Sequence, residues 1–142
     1  MSRRPRRQAR GLTLIELMVA LVIVAVLASL ALPSFGAASS RARLKAAAEQ
    51  LAADLAEART LAAQRAEPVN HLPRLGDEFA GIAMLQSQAV RFEPDGQAAF
   101  ARRGATALLQ AGGGEQLQVE VSLVGRARIC APGGPVSGYP RC

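Results

Sequence analysis

The sequence contains few of the residues that carry catalysis or bind metals. It has one histidine, two cysteines, one tyrosine and no tryptophan among 142 residues. His71 has Asp77 and Glu78 nearby in sequence, but one histidine beside acids is more typical of a loop than of a metal site. Serine, histidine and aspartate occur without a nucleophile-elbow pattern. We therefore expect no enzymatic activity, no catalytic residue, no cofactor and no metal.

The run from residue 12 to residue 32 lacks glycine and proline and carries a single charge, Glu16. Its 21 residues are enough to cross a hydrocarbon core of ~30 Å, so the run predicts a transmembrane helix. A carboxylate in lipid costs a few kcal/mol, which marks Glu16 as a functional residue whose partner should be a cation. If the chain is cut after Gly11, the new amino group of Leu12 is the obvious partner.

The residues around this junction resemble a known processing signal. Behind a short basic leader lies Gly11-Leu12-Thr13-Leu14-Ile15-Glu16-Leu17, which is similar to the type IV prepilin signal of type IV pilins and type II secretion pseudopilins. The resemblance implies that a prepilin peptidase cleaves after Gly11 and methylates the amino group of Leu12, where the family usually has phenylalanine. The alternative, an ordinary secretory signal, normally has an apolar region of ~7 to 15 residues without an acid.

Positive charge is concentrated in the leader. Five of the seventeen basic residues precede the predicted cut: Arg3, Arg4, Arg6, Arg7 and Arg10. Without them the chain has twelve basic and eleven acidic residues, a net charge of +1, so the overall charge indicates no particular partner. By the positive-inside rule, the leader stays cytoplasmic and the chain beyond Leu32 lies on the outer side of the membrane. Cys130 and Cys142 then lie in an oxidising compartment. Two cysteines in such a domain predict one disulfide, with two free thiols as the alternative.

Two prolines mark changes in the helical pattern. Pro33 follows the apolar run and is expected to bend or interrupt the helix, and Pro68 ends the Ala-rich stretch that comes next. That stretch has one apolar stripe at spacings of three and four, which suits close packing of a sheet against the helix and is predicted to be core contact: Leu44, Ala48, Leu51, Leu55, Ala58 and Ala62. We predict an α+β protein with four segments: a basic leader 1–11, a transmembrane helix 12–32, an amphipathic helix 33–66 and a β-rich head 67–142.

The head is predicted to consist of short strands. The clearest runs from Gln116 to Leu123, where apolar and polar residues alternate at period two. Glu93-Pro94-Asp95-Gly96 is typical of a tight turn, and Val124-Gly125 permits a turn or bulge. Gly112-Gly113-Gly114 is interpreted as a flexible connection. It is not a phosphate loop, because no Gly-Lys-Ser/Thr follows it. Other strands are expected at 69–72, 82–85, 89–92, 97–101 and 126–130, with a loop at 131–135.

A basic element follows the clearest strand. If 126–130 is a strand, the guanidinium groups of Arg126 and Arg128 lie on one side of it, about 6.6 to 6.8 Å apart. That spacing is close to the distance between successive phosphates of an extended nucleic acid, and arginine binds phosphate oxygens bidentately. No acidic residue occurs over 121–142, and a disulfide would bring Arg141 near. The pattern predicts a local cationic surface, with an ordinary solvated strand face as the alternative.

Taken together, these features resemble the H-type pseudopilin and FimT-type minor pilin family over essentially the whole chain. In FimT-type minor pilins, a Gly-Arg-x-Arg element near the C-terminus is implicated in binding DNA during natural transformation, and Gly125, Arg126 and Arg128 match it here. The short head without tryptophan departs from the family pattern. The resemblance implies a subunit anchored in the inner membrane, with prepilin peptidase and other pilin or pseudopilin subunits as partners.

Two functional hypotheses follow from the resemblance. In the first, the chain is a structural minor subunit of a type II secretion pseudopilus or a type IV pilus, and Glu16 pairs with the methylated Leu12 amine of a neighbouring subunit. In the second, the head also binds DNA. Binding is expected to be weak because only ~3 phosphates are contacted, and without sequence preference because contacts to the DNA backbone carry no base information. The candidate DNA-binding residues are Gly125, Arg126, Arg128 and Arg141, with Arg102 and Arg103 assisting.

Overall fold

The protein is α+β, as predicted, with one long helix followed by short antiparallel strands. The computed structural model describes residues 13–100, 106–134, 136 and 138–142. The elements in chain order are α1 (Leu14–Arg65), β1 (Val69–His71), a 3₁₀ turn (Asp77–Phe79), β2 (Ile82–Ser87), β3 (Val90–Phe92), β4 (Ala98–Phe100), β5 (Ala107–Ala111), β6 (Gln116–Val121) and β7 (Ala127–Cys130). The chain divides into two compact units, Met1–Gly36 and Ala37–Cys142.

Helix α1 is continuous from Leu14 to Arg65. The interruption considered at Pro33 is therefore not observed. A proline removes only one N–H donor from the helix, and the hydrogen bonds on either side are sufficient to continue it. The helix ends where Ala66 adopts a left-handed conformation with φ of 53°. Pro68 follows two residues later, a position where proline commonly stops a helix.

The apolar stripe of α1 forms the core of the second unit, as predicted. Its six residues are between 0 and 3% exposed: Leu44, Ala48, Leu51, Leu55, Ala58 and Ala62. They belong to one buried cluster with apolar side chains of both sheets, including Val90, Phe92, Leu109, Leu117 and Val119. The alternation of leucine with alanine along the stripe leaves space for the strands to approach the helix closely.

The strands form two antiparallel sheets, ordered β1-β3-β4 and β2-β5-β6-β7. Strand β6 ends at Val121 rather than at Leu123, because the chain already turns at Ser122. Strand β5 was not predicted from the sequence. Its residues, Ala-Leu-Leu-Gln-Ala, include no β-branched or aromatic side chain, and pairing with β2 and β6 makes it a strand. Of the predicted strand 97–101, residue 101 lies outside the described residues.

Three hairpins share one kind of three-residue loop. In each, the residue before the loop donates its N–H to the carbonyl of the residue after it, and the last loop residue is a left-handed glycine. The loops are Pro94-Asp95-Gly96, Gly112-Gly113-Gly114 and Leu123-Val124-Gly125. The turns predicted at 93–96 and 124–125 are thus confirmed, and the glycine triplet connects β5 to β6.

Candidate functional site

Helix α1 begins with a cap made by Thr13. The backbone N–H of Glu16 donates to Thr13 Oγ1 at 3.3 Å, which is one half of a capping box. Glu16 is exposed in the first helical turn, where the positive end of the helix dipole favours a carboxylate. Sequence reasoning missed this cap, although the Thr-x-x-Glu spacing is a recognised signal for it. Gly11 and Leu12, the predicted cleavage and methylation residues, lie outside the described residues.

The first part of α1 carries a large apolar surface that the chain does not cover. The large apolar residues between Leu14 and Leu30 are 52 to 80% exposed. The helix is long and apolar enough to cross a membrane, with a mean hydropathy of 2.8 over its most apolar 18 residues. An apolar surface of this extent indicates contact with lipid or with other protein chains.

The loop between β6 and β7 places Arg126 at the start of the last strand. Gly125 has a φ of 73°, and a Cβ atom added there would overlap the carbonyl oxygen of Gly96. The same carbonyl accepts a hydrogen bond from Arg59 Nε of helix α1 at 3.0 Å. Ser122 closes the loop, since its Oγ accepts a hydrogen bond from the N–H of Arg126 at 3.1 Å. The glycine of the Gly-Arg-x-Arg element thus has a structural role in packing two loops against α1.

The two arginines of the element have different surroundings. Both are exposed. Arg128 donates from Nε and Nη2 to Glu120 Oε2, at 2.9 and 2.7 Å, across the β6–β7 pair. Among the described residues, the Arg126 side chain has no hydrogen-bond or ion-pair partner. Residues 121–142 contain no acid, but the surface that they form is not free of acid, because Glu120 of the neighbouring strand lies directly opposite Arg128.

A disulfide closes the C-terminal segment. Cys130 and Cys142 are bonded, with Cα atoms 4.9 Å apart and a sequence separation of 12. A Glu120 carboxylate oxygen lies within 4.8 Å of both sulfurs, but sulfurs in a disulfide offer no thiolate to a metal. Arg141 is exposed and forms a parallel bridge with Ala131 next to this disulfide. The structure thus brings Arg141 close to β7, whereas Arg102 and Arg103 lie outside the described residues.

Tyr139 docks the disulfide loop on helix α1. Its hydroxyl donates to Glu49 Oε1 at 2.5 Å, and Lys45 Nζ lies 5.9 Å from the ring centroid. Desolvation of the hydroxyl, together with the hydrogen bond and the negative charge of Glu49, raises the pKa of Tyr139 to about 12. Sequence reasoning missed this contact, since its partners are 90 residues apart and form no local pattern.

Comparison with known proteins identifies the N-terminal segment. Residues 6–32 match the prokaryotic N-terminal methylation motif, a span that includes Gly11, Leu12 and Glu16. No curated protein and no solved structure matches the chain. Proteins with this motif are processed by a prepilin peptidase and assemble with other pilin subunits, and their role is structural rather than enzymatic. The chain therefore has the N-terminal segment of a type IV pilin-like protein, in which an apolar helix provides membrane anchoring.

Proposed function

We propose that the protein is a minor subunit of a filament assembled from the inner membrane, either a type II secretion pseudopilus or a type IV pilus. In this proposal residues 1–11 are a leader that is removed, and residues 12–32 cross the inner membrane once. Residues 33–66 continue as an amphipathic helix, and residues 67–142 form a periplasmic head. The C-terminal Gly-Arg-x-Arg element favours the H-type pseudopilin and FimT-type group among such subunits, and the short head is the feature that departs from this group.

The observation that carries this proposal is the uncovered apolar surface of α1. No side chain from residue 14 to residue 30 is buried within the chain. Lipid covers such a surface before assembly, and the apolar helices of neighbouring subunits cover it in a filament. A filament subunit therefore needs a helix that is apolar on all sides, whereas a helix that packs only on its own head needs one apolar stripe.

Glu16 is the residue that sets the packing between subunits in this proposal. Cleavage after Gly11 leaves a methylated amino group on Leu12, close to the start of the helix. Glu16 of one subunit pairs with this amine on a neighbouring subunit. Because a carboxylate without a partner is costly in apolar surroundings, the pair favours one axial position of each helix relative to the next.

Substitutions of Glu16 and Thr13 separate this ion pair from the helix cap. Glutamine is accepted at the third helical position of a capping box, so Glu16→Gln keeps the cap and removes the charge. We expect Glu16→Gln and Glu16→Ala to retain leader cleavage but to reduce incorporation into filaments by roughly tenfold. The measurement is the amount of subunit in sheared filaments relative to the amount in membranes.

Thr13→Val is the matched control, because it removes the capping oxygen and keeps the carboxylate of Glu16. We expect this variant to be incorporated at close to the normal level. Normal incorporation of Glu16→Gln together with loss of Thr13→Val would assign the effect to the cap and refute the proposed ion pair.

A second candidate function is DNA binding through the Gly-Arg-x-Arg element. The exposed guanidinium group of Arg126 favours it, since this group has no partner in the described part of the chain. Glu120 opposes it by neutralising Arg128. If the head binds DNA, Glu120→Gln should increase retention in a low-salt gel shift by releasing Arg128, and Arg126→Ala should decrease it. Equal retention by the wild-type chain and both variants would refute DNA binding through this element.

A further inference from the structure

Strand β7 lies at one edge of the four-stranded sheet, at the end of the order β2-β5-β6-β7. Among the residues that the structure describes, it pairs as a strand with β6 alone, so its other edge is called the open edge. The N–H of Ser122 donates to the carbonyl of Arg126, and the register runs regularly from Val121↔Ala127 to Gln118↔Cys130. Hydrogen-bonded and non-hydrogen-bonded pairs alternate in an antiparallel ladder. The backbone N–H and C=O groups of Ala127 and Ile129 therefore point away from β6, along the open edge.

The chain's own C-terminus already pairs with this edge. Ala131 is the next outward-pointing residue after Ile129, and its N–H donates to the carbonyl of Pro140 at 2.8 Å. Its carbonyl accepts from the N–H of Cys142 at 3.4 Å, which makes a parallel bridge. The edge thus accepts a strand at Ala131. Ala127 and Ile129, both half-buried, continue the same line of donors and acceptors without a backbone partner among the described residues.

The loop that leads into β7 carries two apolar side chains that its geometry does not require. The same three-residue loop is built from Pro94-Asp95-Gly96 and from Gly112-Gly113-Gly114 elsewhere in the head. Loop positions of this kind favour glycine, proline, asparagine and aspartate. Leu123 and Val124 are instead 64% and 58% exposed. An apolar pair at the tip of a hairpin, in place of turn residues, leaves apolar surface that another molecule can cover.

Charge beside the edge determines which segment can pair with it. Arg126 is exposed and has no ion-pair partner in the described part of the chain, whereas Glu120 pairs with Arg128 across the sheet. Charged side chains at an edge also discourage pairing with unrelated strands, since an unpaired arginine must lose its water. A strand that carries a carboxylate opposite Arg126 avoids this cost.

We infer that this edge is a docking strip for an extended segment of another polypeptide that carries both acidic and apolar residues. The docking strip consists of the outward backbone groups of Ala127 and Ile129, the side chains of Leu123 and Val124, and the guanidinium group of Arg126. The segment adds a strand to β7, with its main chain bonded to the two residues of the edge. Its carboxylate pairs with Arg126, and its apolar side chain covers the loop tip. The docking strip lies in the head and does not require filament assembly.

The test uses the full chain in detergent micelles and a fluorescein-labelled hexapeptide in which glutamate alternates with valine. The control peptide has lysine in place of each glutamate and keeps the same tendency to form a strand. We expect fluorescence anisotropy to show binding of the glutamate peptide that is at least about tenfold tighter than binding of the lysine peptide. Equal affinity for the two peptides would contradict the inference.

Three variants test the parts of the docking strip separately. Leu123→Gly/Val124→Gly converts the loop to the composition of residues 112–114, so the hairpin geometry is retained. Ala127→Pro removes an outward N–H without removing a bond to β6, a position where edge strands accept proline. We expect each of these, and Arg126→Ala, to weaken binding of the glutamate peptide by roughly tenfold. Arg74→Ala removes an exposed arginine outside the docking strip and should leave binding unchanged.

Hydrogen exchange provides a readout that does not depend on any substitution. In the free chain, we expect the amide protons of Ala127 and Ile129 to exchange rapidly and the amide proton of Arg128, which faces β6, to exchange slowly. The glutamate peptide should slow exchange at Ala127 and Ile129. Binding without this protection, or unchanged binding by both the loop variant and Ala127→Pro, would overturn the inference.

A labelled oligothymidine distinguishes the docking strip from a nucleic-acid site that uses the same arginine. If the full chain binds the oligothymidine more tightly than the glutamate peptide, and only Arg126→Ala reduces that binding, the surface is a phosphate site and the inference is wrong. Tighter binding of the peptide, lost in the loop variant, supports it.

Discussion

Residues 14–30 and residues 44–62 belong to the same helix and are both rich in apolar side chains, yet the chain buries only the second group. None of the first group is buried. In the second group, one stripe from Leu44 to Ala62 is almost completely buried against the strands of the head. The two stretches differ in how apolar residues are distributed around the helix. The first is apolar on all sides, and the second is apolar on one side and polar on the others.

This difference shows which surroundings each stretch requires. The strands of the head cover a single apolar stripe, so the second stretch contributes to the stability of the head. An all-round apolar surface exceeds what one head can cover, so the first stretch depends on lipid or on other subunits. One helix therefore combines a folding element with an assembly element, and substitutions in the two stretches should have separable effects.

The largest expected effect comes from shortening a buried leucine of the stripe. Leu55→Ala should reduce the free energy of unfolding of the head by about 2 to 5 kcal/mol, because it removes buried contacts and leaves a cavity. Leu21→Ala, in the exposed stretch, should change it by less than about 0.5 kcal/mol. Urea unfolding of the full chain in micelles, followed by the fluorescence of Tyr139, measures both. Similar losses for the two variants would contradict the division of the helix.

A smaller effect is expected where the second stretch contacts the loops of the head. Gly125→Ala should destabilise the head by about 1 to 3 kcal/mol, because alanine is strained at a φ of 73° and its Cβ would meet the Gly96 carbonyl that Arg59 holds. Gly112→Ala is the control, since a Cβ at Gly112 has no atom within 4 Å. Thermal unfolding of the two variants compares them. Equal melting temperatures would show that this packing does not limit stability.

The smallest expected effect concerns pH and the contact between Tyr139 and α1. Burial and Glu49 raise the pKa of Tyr139 from 10.0 to about 12, so the folded state keeps its proton longer than the unfolded state. Stability from this contact is present below pH 10 and is lost as the pH rises from about 10 to 12. Tyr139 is the single tyrosine of the chain, so tyrosinate absorbance reports it directly. Glu49→Gln should lower the midpoint of the Tyr139 titration. A wild-type midpoint near pH 10 would contradict the contact between Tyr139 and α1.

Local periodicity was sufficient to predict much of the fold. The spacing of Leu44, Leu51 and Leu55 predicted the buried face of α1, and alternation predicted β6. Strand β5 could not be predicted in this way, because its identity depends on pairing with β2 and β6 rather than on its own residues. The continuation of α1 through Pro33 could not be predicted either, because it depends on hydrogen bonds made by the residues on both sides of the proline.

The candidate site was predictable only where it consists of neighbours in sequence. The motif around Gly11 and Glu16 is such a case, and it matches a known family over residues 6–32. The pairing of Glu120 with Arg128 was missed because it joins two strands, and a scan along the chain finds no acid after residue 120. The open edge of β7 likewise depends on register, which requires the structure.

The most direct test of the account is the mass of the protein recovered from cells that contain a prepilin peptidase. A filament subunit should lack residues 1–11, begin at Leu12 and carry one added methyl group on its amino terminus. Without the peptidase, the basic leader should remain. A chain that keeps its leader in the presence of the peptidase, or that begins well beyond Leu12, would contradict the proposed role of Glu16 and of the exposed helix.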